Sequence, residues 1–476
     1  MTHPLFSFPR TPKFLLWDIP KQGNTLCIYP LSQDLNILPV QTDRTVLAQM
    51  RLLEAEQIKC ISIQGEFGVR SYILVRESDN HLVQEWIYTE IAECVRSLKD
   101  LEGVCIALGL DTERLIETIG LSLYLFPKIS QAVAETTKSV YIHAVGIDSN
   151  NFSRILKRIE ATWLVRDLVN LPSNMKNPEQ LVALVQKLPW KNTVLRVLEK
   201  TELERLGFWL LLAVGAWSNI PSRVLIFERL GKNRVHRALV GKGVTFDAGG
   251  IQIKSDDGMK DMKMDMAGSA AVIGGFWYAD TFSLWEEGYI WIIGLVENML
   301  GGSAFKPLDI LTSHSWKTVE VRHTDAEWRL VLGDLVSYAY SQYSPRSVIT
   351  FATLTGACMA ALGYNYAGLM SQDEELVKSI ESIASRDQEQ VWRLPLDKNM
   401  IEATKSTNAD LQNHTKSYMA GASMGAAFIS NFLPKTTEFA HLDIAGPAYR
   451  SKAWGVFPAN ATGFGTSIAI GLLGLE

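Results

Sequence analysis

Three short segments in the second half of the chain carry residue types that do chemistry. The first runs from Val240 through Gly241, Lys242, Gly243 and Asp247 to Lys254, with Gly249 and Gly250 allowing close backbone approach. Gly241 and Gly243 begin a dinucleotide-type fingerprint, but Phe246 stands where the third glycine is needed, so that reading fails. The second, 258–271, places Asp265 just before a run of small residues that reads as a helix start, where a surface N-cap is the plain alternative to chemistry. The third, 323–330, holds Asp325, Glu327 and Arg329 at alternate positions. An extended backbone would project all three to one side, as either an exposed charged edge or a charged site. Together the segments offer four carboxylates and three cationic groups, Lys242, Lys254 and Arg329. Hard oxygen ligands without cysteine suit Mg, Mn or Zn, and a shared carboxylate is the usual basis of a two-metal site. No His-Glu-x-x-His motif occurs, which excludes a zincin-type protease by motif.

One rival motif is present. Gly421 to Gly425 spells Gly-x-Ser-x-Gly around Ser423. A nucleophile elbow needs a preceding strand and the order Ser, then acid, then His. Residues 408–419 are polar, His441 precedes Asp443 and no histidine follows, so Ser423 reads as part of a small-residue helix start.

The elements that must position these groups read as α/β. Residues 1–150 alternate short β-like runs (26–29, 58–64, 72–75, 104–108) with helical patterns such as 84–98, and hold few candidate catalytic groups. The spacing over about 152–169 predicts a linker helix ending at a turn-forming break, 170–173. The expected organisation is therefore a smaller N-terminal α/β domain, 1–150, and a larger catalytic domain, 151–476. In the latter, β-rich runs at 237–240, 289–296, 347–353 and 438–444 alternate with helical segments. That predicts a central, mostly parallel sheet flanked by helices, with ligands beyond the carboxyl ends of its strands.

Composition sets the outer bounds. The 476 residues are 47% hydrophobic and 20% charged, an ordinary globular balance, and the net charge of −5 argues against nucleic acid or an anionic membrane as the main partner. Five scattered cysteines with no Cys-x-x-Cys pair read as a reduced, intracellular set rather than a disulfide framework. Residues 1–20 have no signal-type apolar run, and the greasiest stretch, 208–217, is half the length of a spanning helix and reads as core. A cytoplasmic protein is the expectation.

The order of the motifs then points to a family. The segments 240–254, 262–271, 296–302, 324–332 and 352–357, followed by 391–395, 441–446 and 461–465, resemble the leucyl aminopeptidase (cytosol aminopeptidase) family. Arg166 to Asn170, with Pro172 and Asn174, looks like that family's entry into its catalytic domain. The resemblance covers about residues 160–470; residues 1–150 match only in size and α/β character. It implies a metallo-exopeptidase with two divalent ions, Mn or Zn, held by Lys242, Asp247, Asp265, Asp325 and Glu327. Asp247 and Glu327 would bridge the ions, and Lys242 would bind as a neutral amine. Lys254 and Arg329 fall on the catalytic positions, Lys254 stabilising the oxyanion and Arg329 holding a bicarbonate that shuttles the proton. Met262, Thr353, Gly356 and Ala445, with Ala448, match the pocket for the first side chain, an apolar lining suited to leucine or methionine. Peptide substrates and a homohexamer are implied by the same kinship. The alternative is a catalytically weakened relative acting as a binding or DNA-binding scaffold.

The chain departs from the family pattern at three places. His323 and Trp328 replace Asn and Gly in the third segment, and Trp316 replaces a glycine in the turn before Lys317. The expectation is that Trp316 and Trp328 approach one another and reshape the anion site or the pocket rim, with backbone strain wherever the glycine served a positive φ.

Overall fold

A computed structural model describes residues 13–16, 24–30, 59–65, 68–75, 81–98, 101–106, 111–126, 139–144, 147–229, 231, 235–282, 287–415 and 419–474. Residues 1–12 and 17–20, residue 58 and residues 107–108, on which some sequence expectations fall, lie outside that set. The chain divides into two compact units. One holds Leu164–Arg450 and Asn460–Glu476, the other Pro4–Trp163 and Ser451–Ala459.

The N-terminal unit contains a six-stranded sheet. Its strands are β1 (Lys13–Leu16), β2 (Asn24–Pro30), β3 (Lys59–Gly65), β4 (Gly68–Val75), β5 (Leu101–Ile106) and β6 (Ser139–Ala144), in the order β1-β6-β5-β2-β4-β3. All neighbours are parallel except the β3–β4 hairpin. Helices α1 (His81–Ser97) and α2 (Thr112–Ser122) bury Ile91, Val95, Ile116 and Ile119 in a core that also takes Ile159. Cys94 on α1 is disulfide-bonded, which corrects the all-reduced reading: pairing is a matter of spatial proximity, and linear spacing does not show it.

Helix α3 (Ser149–Asn170) is three residues longer at its start than its spacing predicted, and the division between the units falls within it. Its last carbonyls are met by lysine amines, which satisfy acceptors that the helix end leaves without intrahelical partners. The buried Lys176 Nζ donates to Leu168 O at 2.9 Å and Val169 O at 2.6 Å, and Lys263 Nζ donates to Asn170 O at 3.1 Å.

The larger unit is built on eight strands: β7 (Val194–Leu198), β8 (Arg223–Arg229), β9 (Val235–Asp247), β10 (Gly288–Asn298), β13 (Ser347–Ala352), β14 (Ala367–Ser371), β15 (Val391–Arg393) and β17 (Glu438–Asp443). Between them in the chain, β11 (Ile310–Thr312), β12 (Thr318–Glu320) and β16 (Leu411–Gln412) make a small separate sheet. The large sheet has the order β15-β14-β17-β13-β9-β10-β8-β7, and its four central strands β17, β13, β9 and β10 are parallel. Their near-continuous burial is what strands covered on both faces require. Small residues let helix α4 (Ala267–Thr281) lie tight on the sheet, for a Cβ on Gly268 would sit 2.2 Å from Phe351 O. Helix α5 (Trp328–Tyr343) buries Leu330, Val331, Leu332 and Leu335 in a hydrophobic core with Val240, Ile292 and Val348 of the sheet. Among the described residues no helix is long and apolar enough to cross a membrane.

The connection between β11 and β12 is closed by Trp316 N donating to Ser313 O at 2.9 Å and Ser313 N donating to Lys317 O at 2.8 Å. Trp316 sits there at φ 66°, in the left-handed region that costs a side-chain-bearing residue about 1–2 kcal/mol. Its indole is 80% exposed and offers little compensation. Trp316→Gly is therefore expected to raise unfolding free energy by about 1 kcal/mol, and Trp316→Asn by less. Denaturant unfolding that shows either variant below the parent overturns this reading of the turn.

Glu389 offers a second test. It is buried and accepts from Gly465 N and Ile468 N, both at 2.9 Å, across the start of the terminal helix. Burial raises its carboxyl to about 8. The folded chain thus holds this proton where an unfolded carboxylate has lost it, and Glu389's stabilising contribution declines as pH climbs from about 4.5 to 8. Thermal midpoints of Glu389→Gln measured over that window should lack this decline; parallel curves for the two proteins reject it.

Candidate metal centre and substrate cavity

The carboxyl ends of the four parallel strands meet at one edge of the sheet, and each delivers a polar group: Asp247 from β9, Asn298 from β10, Thr353 just beyond β13 and Asp443 from β17. Lys242 and Asp247 are five apart in β9, an odd spacing that would send them to opposite faces of a regular strand. The register with β10 slips between Val244 and Phe246, leaving Thr245 as an extra residue. That bulge restores the parity, and both side chains line the same cavity.

Lys242 Nζ lies 2.6 Å from Asp265 Oδ1 and 3.3 Å from Glu327 Oε1, and donates to Thr353 O at 2.9 Å. Lys254 Nζ lies 2.9 Å from Asp247 Oδ2 and pairs closely with Asp325. Asp247 Oδ1 accepts from Gly249 N at 2.9 Å and from Asn298 Nδ2 at 2.8 Å. Gly249 has φ 89°, and a Cβ there would meet Gln252 O at 2.6 Å, so only glycine allows this turn. Asp265 is not an N-cap. Helix α4 starts after Met266 without a side-chain cap, and Asp265 Oδ1 instead takes Lys242 and Thr353 Oγ1, the latter at 2.9 Å.

The third segment is not extended. Residues 323–326 form a turn in which Ala326 N donates to His323 O at 3.3 Å, Glu327 has helical dihedrals, and Arg329 lies in the first turn of α5. Asp325, Glu327 and Arg329 nonetheless face one volume, brought together by that turn rather than by strand alternation.

Four carboxylates thus share a volume with two ammonium groups, and the charges do not balance. Burial raises the carboxyls of Asp265 (to about 7), Asp325 and Glu327, with neighbouring carboxylates adding to the effect. Burial opposes the charge on Lys242 and Lys254, but the surrounding acids outweigh it and hold both above the ordinary lysine value. The neutral amine that the family resemblance implies requires another positive charge to take its place.

Neither oxygen of the fully buried Glu327 accepts a hydrogen bond among the described residues, nor does Asp265 Oδ2. One oxygen each from Asp247, Asp265 and Glu327 lies within 4.8 Å of the others. Unpaired, buried, hard oxygen donors with excess negative charge are what a divalent cation satisfies, so the donor set fits one.

The cavity above this cluster measures about 320 Å³. Met262, Thr353, Gly356 and Ala445 all line it, as the sequence suggested; Ala448 does not. Met264, Met359 and Met424 extend the apolar wall, residues that sequence reasoning passed over because a methionine at helical spacing reads as core. Three further functional groups were missed. Asn298 orients Asp247. Asn413 accepts from Arg329 Nη1 through its carbonyl at 2.5 Å. Asp443 accepts from Leu354 N and Ala445 N, both at 3.1 Å, and from Thr355 Oγ1 at 2.8 Å, fixing two loops of the cavity wall. Asn298 stood inside a recognised segment, whereas Asn413 follows a strand of two residues and carries no local signal.

Trp316 and Trp328 do not meet. The first is 80% exposed on its hairpin, the second 2% exposed at the start of α5, and no ring contact joins them. Trp328 instead lies against Gly425 on helix α6 (Gly421–Ser430), nearly parallel to the His441 imidazole at 6.2 Å and 12°. Ser423 on the same helix is buried, away from any nucleophile elbow.

Residues 163–470 match the catalytic domain of the cytosol aminopeptidase family. A probable cytosol aminopeptidase of Chlorobium phaeobacteroides is 43% identical over 316 residues, 65% of this chain and 62% of the relative's length. Another, of Cenarchaeum symbiosum, is 38% identical over 366 residues, 75% of each chain. Among solved structures, a bottromycin maturation enzyme, BotP, in complex with Mn aligns over 94% of this chain and 98% of its own, with TM-score 0.81 and 26% identity. A leucyl aminopeptidase from Leishmania major in complex with actinonin aligns over 98% and 95%, with TM-score 0.83 and 22% identity, and shows the same fold.

The packing of Trp328 has a direct test. A Cβ on Gly425 would come within 2.1 Å of the indole, so Gly425→Ala should destabilise the parent by about 1–3 kcal/mol. In a Trp328→Gly background the new Cβ meets only the end of the Leu354 side chain, at 3.0 Å, and the same change should cost much less. Equal effects in both backgrounds, in a thermal double-mutant cycle, reject the contact.

Proposed function

The chain belongs to the cytosol aminopeptidase family, and from that premise we propose that it is a metal-dependent aminopeptidase releasing N-terminal residues, foremost leucine and other apolar ones, from peptides. The observation that carries this reading is the Glu327 carboxylate, fully buried with neither oxygen accepting a hydrogen bond, beneath a cavity that sets a charged floor against a partly apolar wall.

Lys242, Asp247, Asp265, Asp325 and Glu327 would hold two divalent ions, Mn or Zn, with Asp247 and Glu327 shared between them. Such ions supply an activated water at neutral pH and polarise the scissile carbonyl. The chain's own residues do the rest. Met262, Thr353, Gly356 and Ala445 accept the first side chain, and their scarcity of charge favours an apolar one. Lys254, held at the rim of the cluster by Asp247 and Asp325, faces the cavity as a cation and stabilises the negative charge that develops on the carbonyl oxygen. Arg329 would hold a bicarbonate, which would supply the proton-carrying group that a side-chain base otherwise provides. Asn298 keeps Asp247 in place, and Asp443 keeps the wall in shape.

The cytoplasm as its compartment, residues 1–150 as a separate N-terminal domain and a homohexameric assembly complete the proposal; the last is carried by kinship alone. The complete set of ligand-type side chains speaks against the alternative of a silent scaffold.

The test is hydrolysis of Leu-p-nitroanilide and of a Leu-Gly dipeptide by metal-stripped protein, by protein reloaded with Mn²⁺ or Zn²⁺, and by Asp325→Ala. Stripping or the substitution should each reduce turnover by at least about a hundredfold, with reloading restoring only the parent. Silence of the parent with both metals, with bicarbonate present and over a broad peptide panel, would reject the assignment.

A further inference from the structure

Arg329 is 5% exposed, lines the cavity and spends only part of its donor set on the protein. Nη1 donates to Asn413 O at 2.5 Å, while the buried Nε has no partner among the described residues. The Arg329 Cζ lies over the Trp328 ring, 4.4 Å from its centroid, so the indole face sits against the guanidinium. The indole is itself immobilised. Gly425 receives its six-membered ring, and the His441 imidazole runs parallel to it. His441 is neutral, since burial and the Arg329 charge lower its pKa to about 3, and its Nδ1 is engaged by Thr350 Oγ1 at 2.7 Å.

We propose that Trp328 is a positioning residue for Arg329. Its ring face, backed by Gly425 and His441, holds the guanidinium flat, so that the in-plane N–H groups left over from Asn413 form a ready cradle for a small planar oxyanion. Stacking engages the face of a guanidinium and leaves its edge free, and the edge is what pairs with two oxygens of a planar anion. A long, flexible arginine would otherwise have to be ordered when the anion arrives, which weakens binding. In this chain the ordering is built in, and the tryptophan is a working part rather than an obstruction of the anion site. The kinetic consequence rests on the aminopeptidase reading; the anion-binding consequence does not.

The experiment compares the full-length, metal-reloaded parent with Trp328→Gly and Trp328→Phe. Without substrate, bicarbonate is titrated against the thermal midpoint. With Leu-p-nitroanilide, kcat and KM are measured at each bicarbonate concentration. The half-saturating bicarbonate concentration should rise about tenfold in Trp328→Gly and return to within about threefold of the parent in Trp328→Phe, whose ring still offers a face. At low bicarbonate kcat should fall about tenfold in Trp328→Gly with KM within about twofold, and saturating bicarbonate should recover it. A purely structural role for the indole lowers the thermal midpoint of both variants without moving the half-saturation, and that result overturns the proposal. So does a parent whose midpoint ignores bicarbonate, or a Trp328→Phe no better than Trp328→Gly. A parent without turnover that keeps a Trp328-dependent bicarbonate response would uphold the clamp while rejecting the peptidase assignment.

Discussion

Four carboxylates gathered out of water against two ammonium groups form the constraint around which the larger unit is arranged. Removing a charge from water is costly unless it is paired, and unpaired buried carboxylates resist ionisation. Here the cost is only partly offset: Lys242 and Lys254 pair with Asp265 and Asp247, while Glu327 accepts no hydrogen bond and shares the Lys242 ammonium at 3.3 Å. A site of this kind stays assembled only on a rigid frame, since its own electrostatics push it apart. The four central parallel strands, buried on both faces, supply that rigidity and end at the same edge.

Small irregularities convert that frame into a binding geometry. One extra residue, Thr245, lets Lys242 and Asp247 act on the same side of β9. The positive φ of Gly249 turns the chain so that its own N–H returns to Asp247. Asp443 ties two loops together through three donors, so the cavity wall is held by a carboxylate that touches none of the charged cluster. These features lie within a few residues of strand ends, where backbone departs from the ladder and polar groups must find other partners.

The two tryptophans that stand where glycines are usual illustrate how one substitution type has opposite consequences. Trp316 keeps the left-handed backbone of the glycine it replaces and leaves its ring in solvent, so the cost is conformational and nothing is gained in packing. Trp328 begins a right-handed helix, which carries no such cost, and its ring is accommodated by a glycine on a neighbouring helix. Apolar area, a parallel imidazole and a stacked guanidinium all accrue to the second position and none to the first.

The residue types and order of the chemical segments were legible in the chain itself. So were the alternation of strands and helices and the approximate limits of three of the four central strands, because burial on both faces imposes continuous apolar runs whatever the tertiary contacts; β9 instead runs on to Asp247, well past the run read at 237–240. That Met262, Thr353, Gly356 and Ala445 line the cavity was implied only by the family resemblance. Other features depended on contacts remote in sequence. Spacing could not say that Asp265 turns from the helix start to Lys242, that a turn rather than a strand converges Asp325, Glu327 and Arg329, or that Cys94 is bridged. Nor could it pair Trp328 with Gly425, or bring the Asn413 carbonyl to Arg329. Local sequence determined which groups are available and which element each belongs to. Only the tertiary structure decided which of them are deprived of water together, and that shared desolvation turns a set of charged side chains into a site.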